Sequence, residues 1–215
     1  MTSSMKSRRA YHSPRREEQA RQTRRAILEA ALPLFAEQGY SAASLAEIAR
    51  AAGVALKTVE AAFGTKAKLL TALWDVSIVG DDEAIPLAER EWFREMLAES
   101  DPRRQLELHA RNARGIKQRL GALTEVMRRA AQSDPEIDAR WQIVQDQFME
   151  NQTMVAESLA AKDALRPELD AAAAAEMLWT LNHPSLYYLV VHERGWAEDQ
   201  YECWLADSFV HQLLP

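Results

Sequence analysis

The 215-residue chain holds a single cysteine, Cys203, which excludes an intramolecular disulfide and a thiolate-built zinc site; a reducing compartment, the cytoplasm, is expected. Glycine and proline are sparse, at 7 and 8 residues, and nothing suggests tight hairpins. No window approaches the eighteen or so apolar residues of a membrane span, and residues 1–19 lack the apolar stretch of a secretion signal, so no membrane partner is expected. The five histidines, at 12, 109, 183, 192 and 211, show no metal-ligand spacing, and no Ser, Cys or Lys is visibly paired with a base. The chain therefore reads as a non-enzyme with no catalytic residue, no metal site and no cofactor.

What is present favours helix and a core. Hydrophobic residues make up 47% of the chain, and Ala, Leu, Glu, Arg and Gln are frequent, so an all-α fold is expected. The net charge of −6 is unevenly spread. Residues 1–70 hold 12 Lys/Arg against 6 Glu, or +6; the remainder holds 14 basic against 26 acidic residues, or −12. A basic module joined to an acidic body suits DNA held at one end only, because phosphate attraction is local.

Helix punctuation divides the chain. Apolar Ile27, Ala31, Leu34 and Phe35 recur at helical spacing over residues 17–38, with Pro33 predicting a bend and Gly39 a stop. Ser44 with Glu47 forms a capping box opening a helix over 45–52, closed by Gly53. Leu56, Val59 and Phe63 mark the inward face of a third helix ended by Gly64, and Thr65 caps a fourth over 66–79. The composition shift at residues 80–83 is the expected boundary, giving a basic tail at 1–15, a DNA-binding domain at 16–79 and a second domain at 80–215. Beyond it, Pro86 opens a helix to about 100, Pro102 starts another that Gly115 divides from one through 127, and Pro135 opens a helix to about 162. Pro167 opens another to about 193, and the last runs over about 198–214.

The informative stretch is SLAEIARAAGVALKTVEAAFGTKAKLL, residues 44–70. Two short helices crossing at a three-residue turn need a small residue at the crossing, a glycine in the turn and branched apolar residues locking the pair. Ala49, Gly53 and the set Ile48, Val54 and Val59 supply these at the required separations, so a helix-turn-helix is expected.

These residues, with LFAEQGY ending the first helix and KTVEAAFGTKAKLL closing the module, resemble the N-terminal domain of TetR-type transcriptional regulators over roughly residues 20–75. The resemblance implies a three-helix DNA-binding domain followed by a helical domain for ligand binding and dimerisation. It implies phosphate contacts at Ser44, Thr58 and Lys66 and places Lys57 nearest the bases. Independently, Ser44 and Lys66 sit at helix N-termini, where free N–H groups favour an anion. Lys57, Thr58, Glu60 and Ala61 face outward from the third helix. Lys57 donates either to guanine O6 and N7 or to phosphate. Glu60 either accepts from cytosine N4 or pairs with Lys57 one turn earlier, the second being favoured. Many family members carry aromatics at the positions of Glu60 and Ala62, and Ala55 is a poor cap. The basic run Arg15, Arg16, Arg21, Arg24 and Arg25 is expected to compensate with phosphate contacts.

In the second domain, Trp92, Met96, His109, Met127, Trp141, Phe148 and Tyr187 are the candidate ligand-binding residues; each can alternatively be core. Residues 171–191 are apolar all round, and Tyr201, Trp204, Leu205 and Phe209 form a stripe on the last helix. A homodimer through Trp179, Leu186, Tyr201, Trp204, Leu205 and Phe209 is expected. The expected function is a regulator, most simply a repressor, binding a palindromic operator on double-stranded DNA as a dimer and released by a small-molecule effector. The alternative is a nonspecific DNA-binding or protein-interaction module without a ligand.

Overall fold

The computed structural model describes residues 14–79 and 86–215, and every regular element among them is helical. Most of the expected basic tail, and the composition shift at 80–83, lie outside the described residues. α1 (Pro14–Ala42) turns Ile27, Leu28, Ala31 and Phe35 inward. Pro33 lies on its exposed side, where the carbonyl left without a donor is open to water, and the departure from helical dihedrals comes at Gly39 instead. α2 (Leu45–Ala51), α3 (Leu56–Phe63) and α4 (Lys66–Val79) follow with the short joints expected of them.

The later elements depart more from the sequence reading. Pro86 precedes a 3-10 turn at Leu87–Glu89, and α5 (Glu91–Ala98) begins only after Arg90. α6 (Pro102–Leu120) opens as expected, with Asp101 accepting from the Arg103 N–H at 3.0 Å and Pro102 in the first turn. Gly115 does not divide it. The break falls at Gly121, whose φ of 47° a side chain would resist, and α7 (Leu123–Ala131) follows. α8 (Pro135–Ala160) is capped by Asp134, which accepts from the Glu136 N–H at 3.0 Å.

The helix expected from Pro167 to about 193 is three pieces. Asp170 caps α9 (Ala171–Leu181) by accepting from the Ala173 N–H at 2.8 Å; α10 (Pro184–Tyr187) and a π-helical turn at Tyr188–Glu193 complete the segment. Pro184 breaks the run, because it has no N–H to continue the ladder from α9. α11 (Glu198–Leu213) ends the chain.

Two apolar cores result, and they do not divide at residue 80. The first joins α1–α4 to α7 and the start of α8, through Leu120, Leu123, Met127 and Ile137. The second joins α5, α6, the end of α8, α9 and α11, through Phe93, Leu106, Leu159, Leu178 and Phe209. Polar links cross between α1–α4 and the rest of the chain: Tyr40 Oη donates to Asp134 at 2.6 Å, Arg140 pairs with Asp75 at 2.5 Å, and Arg119 donates to the Ile78 carbonyl at 3.1 Å.

Candidate nucleic-acid interface and ligand cavity

α2 and α3 are held at the turn by the Gly53 N–H donating to Arg50 O at 3.2 Å and the Val54 N–H donating to Ala49 O at 3.0 Å. Gly53 takes φ 67° there, which a β-carbon disfavours. Ile48, Ala49, Val59 and Phe63 are buried between the helices, as the motif requires. Leu56 is not: at 40% exposure it lies outside the core that the sequence reading assigned it to. At the start of α3 the chain has just left the turn, so this position meets solvent before the helix reaches its neighbours.

The outward face of α3 presents Lys57, Glu60 and Ala61, with Thr58 half-buried beside them. The favoured Lys57–Glu60 pair is absent from the ion pairs among the described residues, so both charges point outward singly. Ala55 makes no side-chain cap bond.

The flanking candidates are engaged within the fold. Ser44 accepts from the Glu47 N–H at 3.2 Å while its hydroxyl donates to the Glu47 carboxylate at 2.7 Å, and these bonds hold the carboxyl below its usual range. An anion thus already sits at the N-terminus of α2. Lys66 Nζ donates to the carbonyls of Tyr40, Ala43 and Ser41, at 2.7, 3.1 and 3.3 Å, and lies 4.4 Å from the Tyr40 ring centroid. Its three donors close the end of α1, which corrects the expectation that this side chain reaches a phosphate; the α4 N–H groups beside it keep that capacity. Arg24 donates to the Ala62 carbonyl at 3.0 Å and covers the Phe63 ring at 4.2 Å, while Arg25 pairs with Glu29 at 2.8 Å. Arg24 therefore ties α1 to the end of α3, beside the outward face.

A cavity of about 90 Å³ lies in the body. One wall is the face of α6 bearing His109, Asn112, Ile116, Lys117 and Leu120; facing it, α8 supplies Trp141, Val144, Phe148, Asn151 and Gln152. Trp92 and Phe93 close one side, Asn182 and Pro184 another, and α4 contributes Trp74 and Ile78. Of the candidate ligand-binding residues, Trp92, His109, Trp141 and Phe148 line this cavity. Met96, Met127 and Tyr187 do not: each is almost fully buried in packed core, Met127 among the helices of the first cluster and Met96 and Tyr187 in the second.

The sequence reading passed over the polar network beside the cavity. His109 Nε2–H donates to Gln152 Oε1 at 2.9 Å, and Asn182 Nδ2 donates to the same oxygen at 3.4 Å. Asn182 Oδ1 then accepts from Lys117 Nζ, which also donates to Tyr201 Oη at 2.6 Å. Burial lowers the His109 imidazole to about 4 and holds the Lys117 amine well below its usual value. The available signal was the register of α6, in which Lys117 falls two turns from His109 on the face that also carries Ala113 and Leu120.

Three of the expected dimer residues also need correction. Tyr201, Leu205 and Phe209 are fully buried in the chain's own core, where α11 packs on α6. The i, i+4 stripe that looked in need of a twin is satisfied within the protomer. Trp179, Leu186 and Trp204 are only half-buried and lie towards the surface.

Residues 27–73 match the profile of the bacterial regulatory proteins of the tetR family. The HTH-type transcriptional regulator AcrR of Shigella flexneri is 43% identical over 60 residues, which cover 28% of each chain. That match therefore spans little more than a quarter of the curated relative. Among solved structures, NalD, the secondary repressor of the MexAB-OprM multidrug efflux pump in Pseudomonas aeruginosa, aligns with a TM-score of 0.69 at 25% identity, covering 92% of this chain and 98% of that one. The transcriptional regulator FadR from Bacillus subtilis, solved with stearoyl-CoA, aligns with a TM-score of 0.70 at 18% identity, covering 86% of this chain and 97% of that one.

Proposed function

Because the chain carries the N-terminal domain of the bacterial TetR regulators over residues 27–73, we propose that it is a cytoplasmic transcriptional repressor that binds a palindromic operator as a homodimer and is released by a small-molecule effector. Residues 16–79 form the DNA-binding unit in this reading, and residues 80–215 the sensing and dimerising one. The observation that carries it is the outward face of α3, with Lys57 and Glu60 unpaired on a helix held rigidly by the Gly53 turn. A helix so presented enters the major groove, where Lys57 reaches guanine or phosphate and Glu60 reaches cytosine N4. Thr58 and Ala61 lie beside the same groove, the first N–H groups of α4 meet the flanking backbone, and Arg24 and Arg25 add positive charge along α1.

A two-fold dimer places two such helices about one turn of DNA apart, and its symmetry asks for a palindrome. Trp179, Leu186 and Trp204 are the interface residues that remain available for it. The link to the effector is α4: Lys66 stands at its start beside the helix-turn-helix, and Trp74 and Ile78 face the cavity. An occupant bound better in one setting of α4 shifts the population between DNA-binding and released states. Enrichment of random duplexes on the purified protein tests the reading. A palindromic consensus is expected, whereas a pool without consensus would overturn it in favour of nonspecific DNA binding.

A further inference from the structure

Lys117 is 4% exposed and lines the cavity, yet no Asp or Glu among the described residues forms an ion pair with it. Its three N–H donors meet two neutral acceptors, Asn182 Oδ1 and Tyr201 Oη. Two carboxylates of α11 are engaged elsewhere: Glu202 with Arg114 at 2.9 Å and Arg111 at 3.7 Å, and Glu198 with the Tyr187 hydroxyl at 2.5 Å. Nor does any Asp or Glu stand among the 19 described residues that line the cavity, in which Lys117 is the one formal charge. A buried ammonium ordinarily comes with its counter-charge, since without one burial favours the neutral amine. Here the protein supplies an apolar chamber, a row of amides and half of an ion pair.

We infer that the cavity takes an organic anion, a carboxylate with an apolar body, whose acid group pairs with Lys117 while its body lies along Trp92, Ile116, Trp141 and Phe148. Asn182 and Tyr201 hold the Lys117 nitrogen in place, and Gln152 accepts from the Asn182 amide so that Asn182 presents its oxygen to the lysine. An organic cation is disfavoured at the same site by both the lysine and the lack of a lining acid. The inference rests on reading this cavity as the effector site and goes on to name the chemistry of what it holds.

The test titrates the full-length protein with straight-chain carboxylates of six to ten carbons, and with the primary alcohols and amines of equal length. Fluorescence of Trp74, Trp92 and Trp141, which line the cavity, reports binding. At least one acid should bind ten-fold or more tightly than its alcohol, with the amine weakest. Lys117→Met should abolish the acid's advantage and leave the alcohol within about three-fold. Equal binding of acid and alcohol, preference for the amine, absence of binding by every probe, or an acid preference that survives Lys117→Met would overturn the inference. If Lys117→Met fails to fold, the charge series on the unaltered protein decides alone. Operator binding, measured alongside, separates the two readings: an acid held through Lys117 that leaves the operator complex intact refutes release by this effector class but not the site. A neutral compound that releases DNA regardless of Lys117 does the reverse.

Discussion

Lys57 and Lys66 stand on the same small domain and have opposite fates. Lys57 makes no hydrogen bond or ion pair among the described residues, so Lys57→Ala should leave thermal stability unchanged and weaken operator binding more than ten-fold at moderate salt, about 1.4 kcal/mol or more. An unchanged gel-shift affinity would remove it from the interface. Lys66 closes three carbonyls at the end of α1. Lys66→Met should therefore destabilise the fold by about 2 kcal/mol in urea denaturation and affect DNA less than Lys57→Ala does. His109 gives the pH dependence. Its folded value of about 4 lies below the usual imidazole range, because burial and the neighbouring Lys117 disfavour its cation. The unfolded chain takes up the proton near pH 6.5 and the folded one resists until about 4, so this residue's contribution to stability falls as pH drops through that window and is level above it. The loss reaches about 3 kcal/mol at the acid end. Comparing urea midpoints of the parent and His109→Gln across that range should show a gap that changes with pH; parallel curves would contradict it.

Two glycines that read as helix stops in the sequence do different work once elements form. Gly53 holds a positive φ in open space, so Gly53→Ala should cost about 1–2 kcal/mol through backbone conformation alone. Gly115 lies within α6, where a β-carbon meets nothing closer than the Arg119 guanidinium at 3.7 Å, and Gly115→Ala should stabilise by about 0.5–1 kcal/mol. Calorimetric melting temperatures moving in opposite directions would bear this out. The pair also explains what was legible beforehand. The helix-turn-helix could be read because its cap, small residue, glycine and apolar set are local in sequence. Gly115 was misread as a stop because only the conformation at Gly121, fixed by where α7 must pack, decides which glycine ends the helix. Tyr201, Leu205 and Phe209 were read as a dimer seam because periodicity identifies a buried stripe without saying what buries it; α6, some hundred residues earlier, does so. Four of the seven sequence candidates, Trp92, His109, Trp141 and Phe148, line the cavity, whereas Lys117 was not singled out, because one lysine among many carries no sign that it is buried.

At the scale of the whole molecule the dimer is the first quantity to measure. Light scattering at micromolar concentration should give about twice the 24.3 kDa chain mass, and Trp204→Arg should shift it towards the monomer. A monomeric mass for the unaltered protein would sink the two-fold reading. The two apolar cores bear on a different question. Since α7 and the start of α8 complete the core of α1–α4, the DNA-reading head has no closed surface of its own. A fragment ending at residue 79 would leave bare to water the face of α1 that packs on α7 and the face of α4 that packs on α6 and α8. For anyone building chimeric regulators, this head is not a detachable cassette: the graft must carry α7 and the opening turns of α8 with it, although they lie more than forty residues downstream of the apparent seam.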